Sequence, residues 1–116
     1  MDEFQVGLSG NQLLTNILTH ARQAGVPNPR VYSHSLGLYL HQPGPLIGLP
    51  WEQVSNPGRG DVKLYYNTTF TMELAVEDTV ADWDGQMVRL SLEQDVEFTR
   101  KGCAPLDGVQ TTFHLI

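Results

Sequence analysis

Two stretches of alternating residues decide the fold of this chain: residues 70–78 read FTMELAVED and residues 87–99 read MVRLSLEQDVEFT. Apolar side chains recur at every second position in both stretches, which is the spacing of residues on one face of a β-strand. Glu73 and Glu93 fall on alternate positions, so the pattern predicts two strands with these carboxylates on the face opposite the apolar one. The apolar members of the pattern are Phe70, Met72, Leu74, Val76, Val88, Leu90 and Leu92.

The segment ahead of these strands has the spacing of an amphipathic helix. Ser9 followed by Gln12 matches a capping box, and Gly25 with Pro27 supplies a stop signal. These signals predict a helix from about residue 10 to 24. The apolar stripe at helical spacing consists of Leu13, Leu14, Ile17, Leu18 and Ala21.

The remaining segments complete an α+β domain over residues 1–116, with one helix packed on a mostly antiparallel sheet. VYSH at 31–34 and VQTTFHLI at 109–116 are predicted strands. Residues 42–62 are rich in proline and glycine, which excludes a regular helix or a central strand there. This predicted loop is either the rim of a site or a surface crossover packed by Leu46, Ile47, Leu49 and Trp51.

Composition limits the partners and the compartment. The chain has 41% hydrophobic and 17% charged residues and a net charge of −6, so we predict neither a nucleic-acid nor a membrane partner. No apolar run approaches the roughly 18 residues of a membrane span. Cys103 is the only cysteine, which excludes an internal disulfide and predicts a buried, inert thiol in a cytoplasmic protein.

Two histidines and two glutamates are the candidate functional residues. His34 and His41 bracket an apolar run in YSHSLGLYLHQPGP, and Glu73 and Glu93 lie in the predicted strands. An ionised carboxylate among apolar neighbours is unfavourable if that face is buried, and a metal ion is one partner that removes the cost. The pattern leaves two interpretations open: a solvated strand face, which it favours, or ligands for manganese, iron, cobalt or zinc from His34, Glu73 and Glu93.

Three segments resemble the motifs of the pita-bread metallopeptidases, the family of methionine aminopeptidase, aminopeptidase P and Xaa-Pro dipeptidase. SHSLGLYLHQPGP resembles the family's histidine motif, with its positions at His34, Gly37 and His41. FTMELAV is similar to the segment T-x-E-P-G, which places a ligand at Glu73. VRLSLEQDVEFTRKGCAPLDG is similar to V-R-I-E-D-D-V-x-V-T-x-x-G, which places another ligand at Glu93. The motifs occur in the family's order and the resemblance runs from about residue 7 to the C-terminus.

The resemblance implies a site with two divalent metal ions that activate a water molecule for attack on a peptide bond. It implies that His34 and Glu73 bind one metal ion and that Glu93 bridges both. It gives His41 a catalytic role, in which the ring hydrogen-bonds the substrate carbonyl or the tetrahedral intermediate. The alternative for His41 is a core histidine bonded to a backbone carbonyl.

The resemblance also implies that the site is incomplete in these 116 residues. Family members use two further aspartates from strands ahead of the helix, whereas only MDEFQVGLS precedes it here. We therefore expect the C-terminal half of a pita-bread domain, with at most one metal ion, weakly bound, and no peptidase activity of its own. Gln42 replaces the family's usual acidic residue, and ELAVED lacks the usual Pro-Gly.

Two other hypotheses stay open. The first is a non-catalytic module that binds peptides or proteins on the same fold. The second is self-association, in which an exposed half-sheet pairs with a second copy of the chain in a homodimer, where the family would have its N-terminal half.

Overall fold

The structure, a computed structural model, describes residues 1–112 and has one α-helix and one five-stranded antiparallel sheet. The predicted α+β class is therefore confirmed. Along the sheet the strands follow the order β2-β1-β3-β4-β5. The elements are α1 Gly10–Gln23, β1 Arg30–Gly37, β2 Leu40–Ile47, β3 Thr68–Val80, β4 Gln86–Thr99 and β5 Gly102–Pro105, with short 3₁₀ turns at Arg59–Asp61 and Ala81–Trp83.

Helix α1 begins at the capping box that the sequence predicts. The Ser9 hydroxyl accepts a hydrogen bond from the Gln12 amide at 3.2 Å, and the Gln12 side chain accepts one from the Ser9 amide at 2.8 Å. Two of the helix's first free N–H groups are thereby satisfied. The apolar stripe faces the sheet and buries Leu13, Leu14 and Leu18. The predicted bounds of 10 and 24 agree with the helix to within one residue.

Strands β3 and β4 form a long hairpin with an unbroken register from Thr68 opposite Phe98 to Val80 opposite Gln86. Both strands predicted from alternation are confirmed. Because paired residues project from the same side of a sheet, one face carries the apolar positions of both strands. The opposite face carries Glu73 and Glu93, which are directly paired.

The core forms where the apolar face of the hairpin meets the helix and the N-terminal segment. Phe70 and Phe98 are 0% and 2% exposed, and the ring of Phe4 lies 5.6 and 5.7 Å from their rings. Aromatic contacts at this spacing stabilise beyond their buried area. The other buried members of this cluster are Leu13, Leu14, Leu18, Val31, Ile47, Leu64 and Val96.

The apolar face continues beyond the core into solvent. Leu74, Leu90 and Leu92 are 41%, 48% and 57% exposed, although they share a face with Phe70. A helix of 14 residues is about 21 Å long, whereas a strand of 13 residues is about 44 Å long. One helix therefore cannot cover the whole hairpin, and alternation predicted the face correctly without predicting its burial.

The proline-rich segment differs from its prediction. Strand β2 runs through Pro43 and Pro45 and ends at Ile47. The loop predicted over residues 42–62 is therefore wrong for residues 42–47. The strand tolerates proline because it lies at the edge of the sheet, where one row of its backbone groups needs no partner strand. Trp51, expected to pack a crossover, is 74% exposed, whereas Ile47 is fully buried.

The last predicted strand, at 109–116, is not formed over residues 109–112. Residues 113–116 lie outside the described residues. Cys103 is half-buried, and burial raises the pKa of its thiol to about 11. The prediction of an unreactive thiol agrees with this, because the thiolate is the reactive form.

The start of α1 approaches β2 through Gly10, and this contact yields a test of the fold. A Cβ at Gly10 would overlap the backbone carbonyl oxygen of Leu46. Helix propensity alone predicts that Gly10→Ala stabilises the protein by about 1 kcal/mol. We expect instead a loss of about 1–3 kcal/mol in the free energy of unfolding, measured by urea denaturation, because backbone must shift to relieve the overlap.

Thr19→Ala is the matched control, since Thr19 lies on the exposed side of the same helix. We expect this variant to gain a few tenths of a kcal/mol from propensity. A stabilised Gly10→Ala variant would show that the helix does not approach β2 as described.

Candidate functional site

The polar face of the sheet brings the predicted site residues together. Tyr32 on β1 is paired with Glu73 on β3, and Glu73 is paired with Glu93 on β4. His34 lies two residues beyond Tyr32 on the same strand and therefore on the same face. The antiparallel register thus gathers residues that are up to about 60 positions apart in the chain.

His34 is buried, with 3% of its surface exposed, and both of its ring nitrogens have defined neighbours. Its Nδ1 lies 3.0 Å from the carbonyl oxygen of Ser35. Because a carbonyl only accepts, Nδ1 carries the hydrogen, and in a neutral ring Nε2 carries a lone pair. Nε2 lies 3.5 Å from Oε1 of Glu73, so a lone pair faces a carboxylate unless a proton or a metal ion lies between them.

Glu73 is held in a partly buried position on the same face. The Thr71 hydroxyl donates a hydrogen bond to its Oε1 at 3.3 Å. Burial raises the pKa of the Glu73 carboxyl, and the facing carboxylate of Glu93 raises it further. Both causes disfavour the ionised form of this carboxyl.

The ring of His41 stacks on the ring of His34. The two rings have centroids 4.0 Å apart and are inclined by 19°. The β1–β2 hairpin produces this contact, with a register shift between His34 and Leu36. His41 is exposed, so the interpretation as a core histidine is wrong for His41. A buried ring bonded to a backbone carbonyl is instead found at His34.

The three predicted metal ligands are not arranged together as a metal-binding group. Within residues 1–112, no set of three or more histidine, cysteine, aspartate and glutamate side chains is arranged to hold a metal ion. The structure brings His34 and Glu73 into contact and places the exposed Glu93 across the strand pair from Glu73. The contact thus brings together one nitrogen and one oxygen donor, with a second carboxylate on the paired residue.

A cavity of about 240 Å³ opens beside this cluster on the same face. Tyr32 forms part of its wall, and burial, followed by the charge of Glu73, raises the pKa of the Tyr32 hydroxyl. Pro50 also lines the cavity, so the proline-rich segment forms part of a rim, one of its two predicted roles. The charged and hydroxyl-bearing lining residues are Arg30, Tyr32, Glu73, Arg89, Ser91 and Glu93.

Gln53 fixes the proline-rich segment beside β1. Its side-chain amide accepts a hydrogen bond from the Val31 amide at 2.8 Å and donates one to the Val31 carbonyl at 3.0 Å. The same amide donates to the carbonyl of Leu49 at 2.6 Å. These bonds take the place of a neighbouring strand along this part of β1 and position the rim of the cavity.

Sequence reasoning did not single out Arg30, Tyr32 or Arg89 as site residues. The sequence contains a signal for Arg89, because this residue alternates with the apolar residues of β4 and so shares a face with Glu93. Arg30 and Tyr32 come from another strand, and only the β1–β3 register places them beside Glu73.

Comparison with known protein families finds no family model that matches the chain. Curated proteins and solved structures likewise yield no match. Within residues 1–112, the one helix is too short and too polar to cross a membrane. The resemblance to pita-bread metallopeptidases therefore rests on the three motifs.

The raised pKa of Glu73 predicts a pH-dependent effect of Glu73→Gln. Near pH 3, below the usual pKa of 4.5, Glu73 is protonated in the folded and unfolded chains, so the variant and wild type differ little. As the pH rises through the raised pKa, the wild type loses stability because ionisation is less favourable in the folded chain. We expect the variant to be the more stable protein at about pH 7, by less than about 1 kcal/mol, in urea denaturation.

Glu97→Gln is the matched control, because Glu97 lies on the same strand face as Glu93 but is exposed and paired with Thr69. A Glu73→Gln variant that is less stable than wild type at neutral pH, and equally stable in acid, would contradict the proposed cost of ionising Glu73.

Proposed function

We propose that this chain supplies one side of a metal-dependent peptidase site of the pita-bread type, with His34, Glu73 and Glu93 as metal ligands. The observation that carries the proposal is the environment of the two ring nitrogens of His34. Its Nδ1 is bonded to the Ser35 carbonyl, and its Nε2 faces the Glu73 carboxylate at 3.5 Å. Metal-binding histidines are commonly held in this way, because the outer hydrogen bond fixes the ring and directs the other nitrogen to the metal.

The donor set fits a divalent ion such as manganese, cobalt, zinc or iron. Such an ion, when bound, lowers the pKa of a water molecule so that it can attack a peptide carbonyl. The chain's own residues position this chemistry. Thr71 orients Glu73 through its hydroxyl, and the backbone carbonyl of Ser35 orients His34.

His41 is placed to act on a substrate rather than on the metal ion. Its ring is exposed, and its plane is set by stacking on the buried ring of His34. A ring N–H in this position can donate a hydrogen bond to a substrate carbonyl as negative charge develops on the oxygen. Burial and stacking thus separate the roles of the two histidines.

We propose that the remaining ligands come from another polypeptide segment. Glu93 is exposed on a face that is open above Glu73, which leaves room for carboxylates from another polypeptide segment. We propose that this segment is the N-terminal half of the pita-bread domain and that the complete enzyme is an exopeptidase of the Xaa-Pro dipeptidase or aminopeptidase class. The single, half-buried Cys103 is consistent with a reducing compartment such as the cytoplasm.

A non-catalytic binding module is the second candidate function. One observation favours it. Residues 1–112 form a cavity, whereas no group of three metal-ligating side chains is found among them. In this alternative the chain binds a peptide on its polar face and no hydrolysis follows.

The affinity of histidine variants for manganese tests whether His34 and His41 have different roles. We expect manganese to bind the isolated chain weakly, on the order of millimolar, in calorimetric titration, since only two donors are in contact. His34→Ala should weaken binding by about tenfold or more through loss of a ligand. His41→Ala should leave the affinity within about twofold, because His41 contacts the other ring and not the metal ion.

His20→Ala is the control for the loss of a histidine, because His20 is on the exposed side of α1 and pairs with Glu3 at 2.9 Å. Equal manganese affinity in wild type and His34→Ala would remove His34 from the ligand set.

Activity of the isolated chain gives a second test of the proposal. We expect no detectable turnover of Xaa-Pro dipeptides by residues 1–116 with manganese or cobalt, because His34, Glu73 and Glu93 supply too few ligands for two metal ions. Peptide hydrolysis can be followed by release of free proline. Efficient hydrolysis that His34→Ala abolishes would show that the 116 residues form a complete site.

A further inference from the structure

One edge of the sheet lacks a neighbouring strand over the middle of β4. Strand β5 pairs with β4 only over Val96–Thr99. The next backbone bond on that side runs from the Leu106 amide to the Asp95 carbonyl at 3.0 Å. Within the part of the chain that the structure describes, no strand is paired with residues 86–94 on this side. An unpaired strand edge is a template for pairing with another chain.

The backbone groups that point out of this edge belong to the odd-numbered residues. The carbonyl of Asp95 points toward β5, whereas the carbonyl of Phe98 accepts a bond at 2.7 Å from the residue before β3. Backbone groups of successive residues alternate between the two sides of a strand, and the β3–β4 register is continuous. The N–H and C=O groups of Arg89, Ser91 and Glu93 therefore all face outward.

The opposite edge of the sheet is protected against pairing, whereas this one is not. Strand β2 contains Pro43 and Pro45, which have no N–H group to donate. Residues 89–93 of β4 read RLSLE and contain neither proline nor lysine. Leu90 and Leu92 are exposed on the apolar face. An edge of this kind pairs with another strand unless its charges oppose the contact.

The charges along this edge are complementary to a second copy of the same edge. In an antiparallel pair, residues whose backbone groups face outward bond to each other, so an odd-numbered residue must lie opposite an odd-numbered one. A two-fold axis at Ser91 meets this condition. It places Arg89 opposite Glu93 of the second copy, and Glu93 opposite Arg89 of the second copy. Opposite charges directly across two strands stabilise the pair.

The neighbouring symmetric registers are less favourable. An axis one residue earlier would place Glu93 opposite Met87, which has no charge. An axis one residue later would place Arg89 opposite Asp95, whose carbonyl is already bonded to Leu106 of its own chain. The charge pattern and the free backbone groups therefore select the same axis.

This register also matches the apolar face. It places Leu90 opposite Leu92 of the second copy, in the closer, non-hydrogen-bonded type of pair. Both leucines lie beyond the part of the sheet that α1 covers and are about half exposed. Contact between them removes apolar surface from water in both copies.

The chain's own C-terminal segment is the competing occupant of this edge. Continuation of the β5 register would place residues 108–112 opposite residues 89–93. None of the described residues 108–112 makes a backbone hydrogen bond to β4. The Gly108 carbonyl instead accepts a bond from the Gln94 side chain at 3.4 Å. The backbone edge at residues 89–93 is therefore available to a second copy.

From these observations we infer that the chain forms a symmetric homodimer, in which residues 89–93 of β4 pair with the same residues of a second copy about a two-fold axis at Ser91. The two sheets join edge to edge into one continuous sheet. This assigns an edge and a register to the self-association that the sequence leaves open. The contact involves few residues and falls below the roughly 1,200 Å² of a stable interface, so we expect a Kd on the order of 100 µM.

The inference goes beyond the proposed metal site and does not rest on it. Association is measured in EDTA, where no divalent metal ion is bound. Failure to dimerise leaves the proposed metal site intact, and failure to bind manganese leaves the dimer intact.

The first test uses the wild-type chain at about 10 µM and about 1 mM. Light scattering should show mainly monomer at the lower concentration and mainly dimer at the higher one. Hydrogen exchange of the Arg89, Ser91 and Glu93 amides, followed by NMR, should slow about fourfold, in proportion to the fall in the monomer fraction. The amides of Leu90 and Leu92 point toward β3, so their exchange should change little.

Charge reversal tests the register. Arg89→Glu and Glu93→Arg each place like charges opposite one another at both ends of the contact, so each variant alone should associate at least about tenfold more weakly than wild type. An equimolar mixture should regain dimers, because each carboxylate of one variant then lies opposite a guanidinium group of the other. Circular dichroism checks that each variant is folded.

Lys101→Glu is the matched control for charge reversal. Lys101 is exposed at the β4–β5 turn, outside residues 89–93. We expect this variant to dimerise with the wild-type Kd to within about twofold.

Four results would each overturn the inference. The first is a wild-type chain that stays monomeric at about 1 mM, and the second is equal exchange of the three outward amides at both concentrations. The third is slow exchange of these amides already at about 10 µM, which would assign the edge to residues 108–112. The fourth is a mixture of the two folded charge variants that associates no better than either alone. The exchange measurement needs only the wild-type chain, so it decides the question even if a variant fails to fold.

Discussion

The register between β3 and β4 is the constraint on which the rest of the structure depends. It pairs Phe70 with Val96 on one face and Glu73 with Glu93 on the other. A shift of one residue in either strand would exchange that strand's faces, burying carboxylates against α1 and exposing aromatic rings. The apolar core therefore holds the polar face in its arrangement.

His34 links the core to the candidate site. It is buried on β1 between two neighbouring strands; its Nδ1 donates to the Ser35 carbonyl, and its Nε2 lies 3.5 Å from the Glu73 carboxylate. Burying an imidazole beside a carboxylate of raised pKa gives no net stability unless a proton or another cation is shared. This local cost supports a functional rather than a structural reason for the pair, because apolar residues would pack at the same place without it.

Some features were predictable because their causes are local. The helix followed from the Ser9–Gln12 capping box and a stripe of leucines, and both act within a few residues. The strand through Pro43 and Pro45 was missed because proline excludes only the central positions of a sheet. Whether a strand lies at an edge depends on the complete strand order, which no local pattern contains.

The features of the candidate site also fall into those that the sequence predicts and those that only the tertiary structure shows. The sequence by itself determined the strand periodicity, and this alternation placed Arg89, Ser91 and Glu93 on a common face of one strand. Only the tertiary structure decided that Arg30 lies beside Ala75, that His41 stacks on His34, and that Glu93 stands opposite Glu73. The physical reason is that periodicity is a property of one strand, whereas contacts between strands depend on register, and register is set by packing of the whole core.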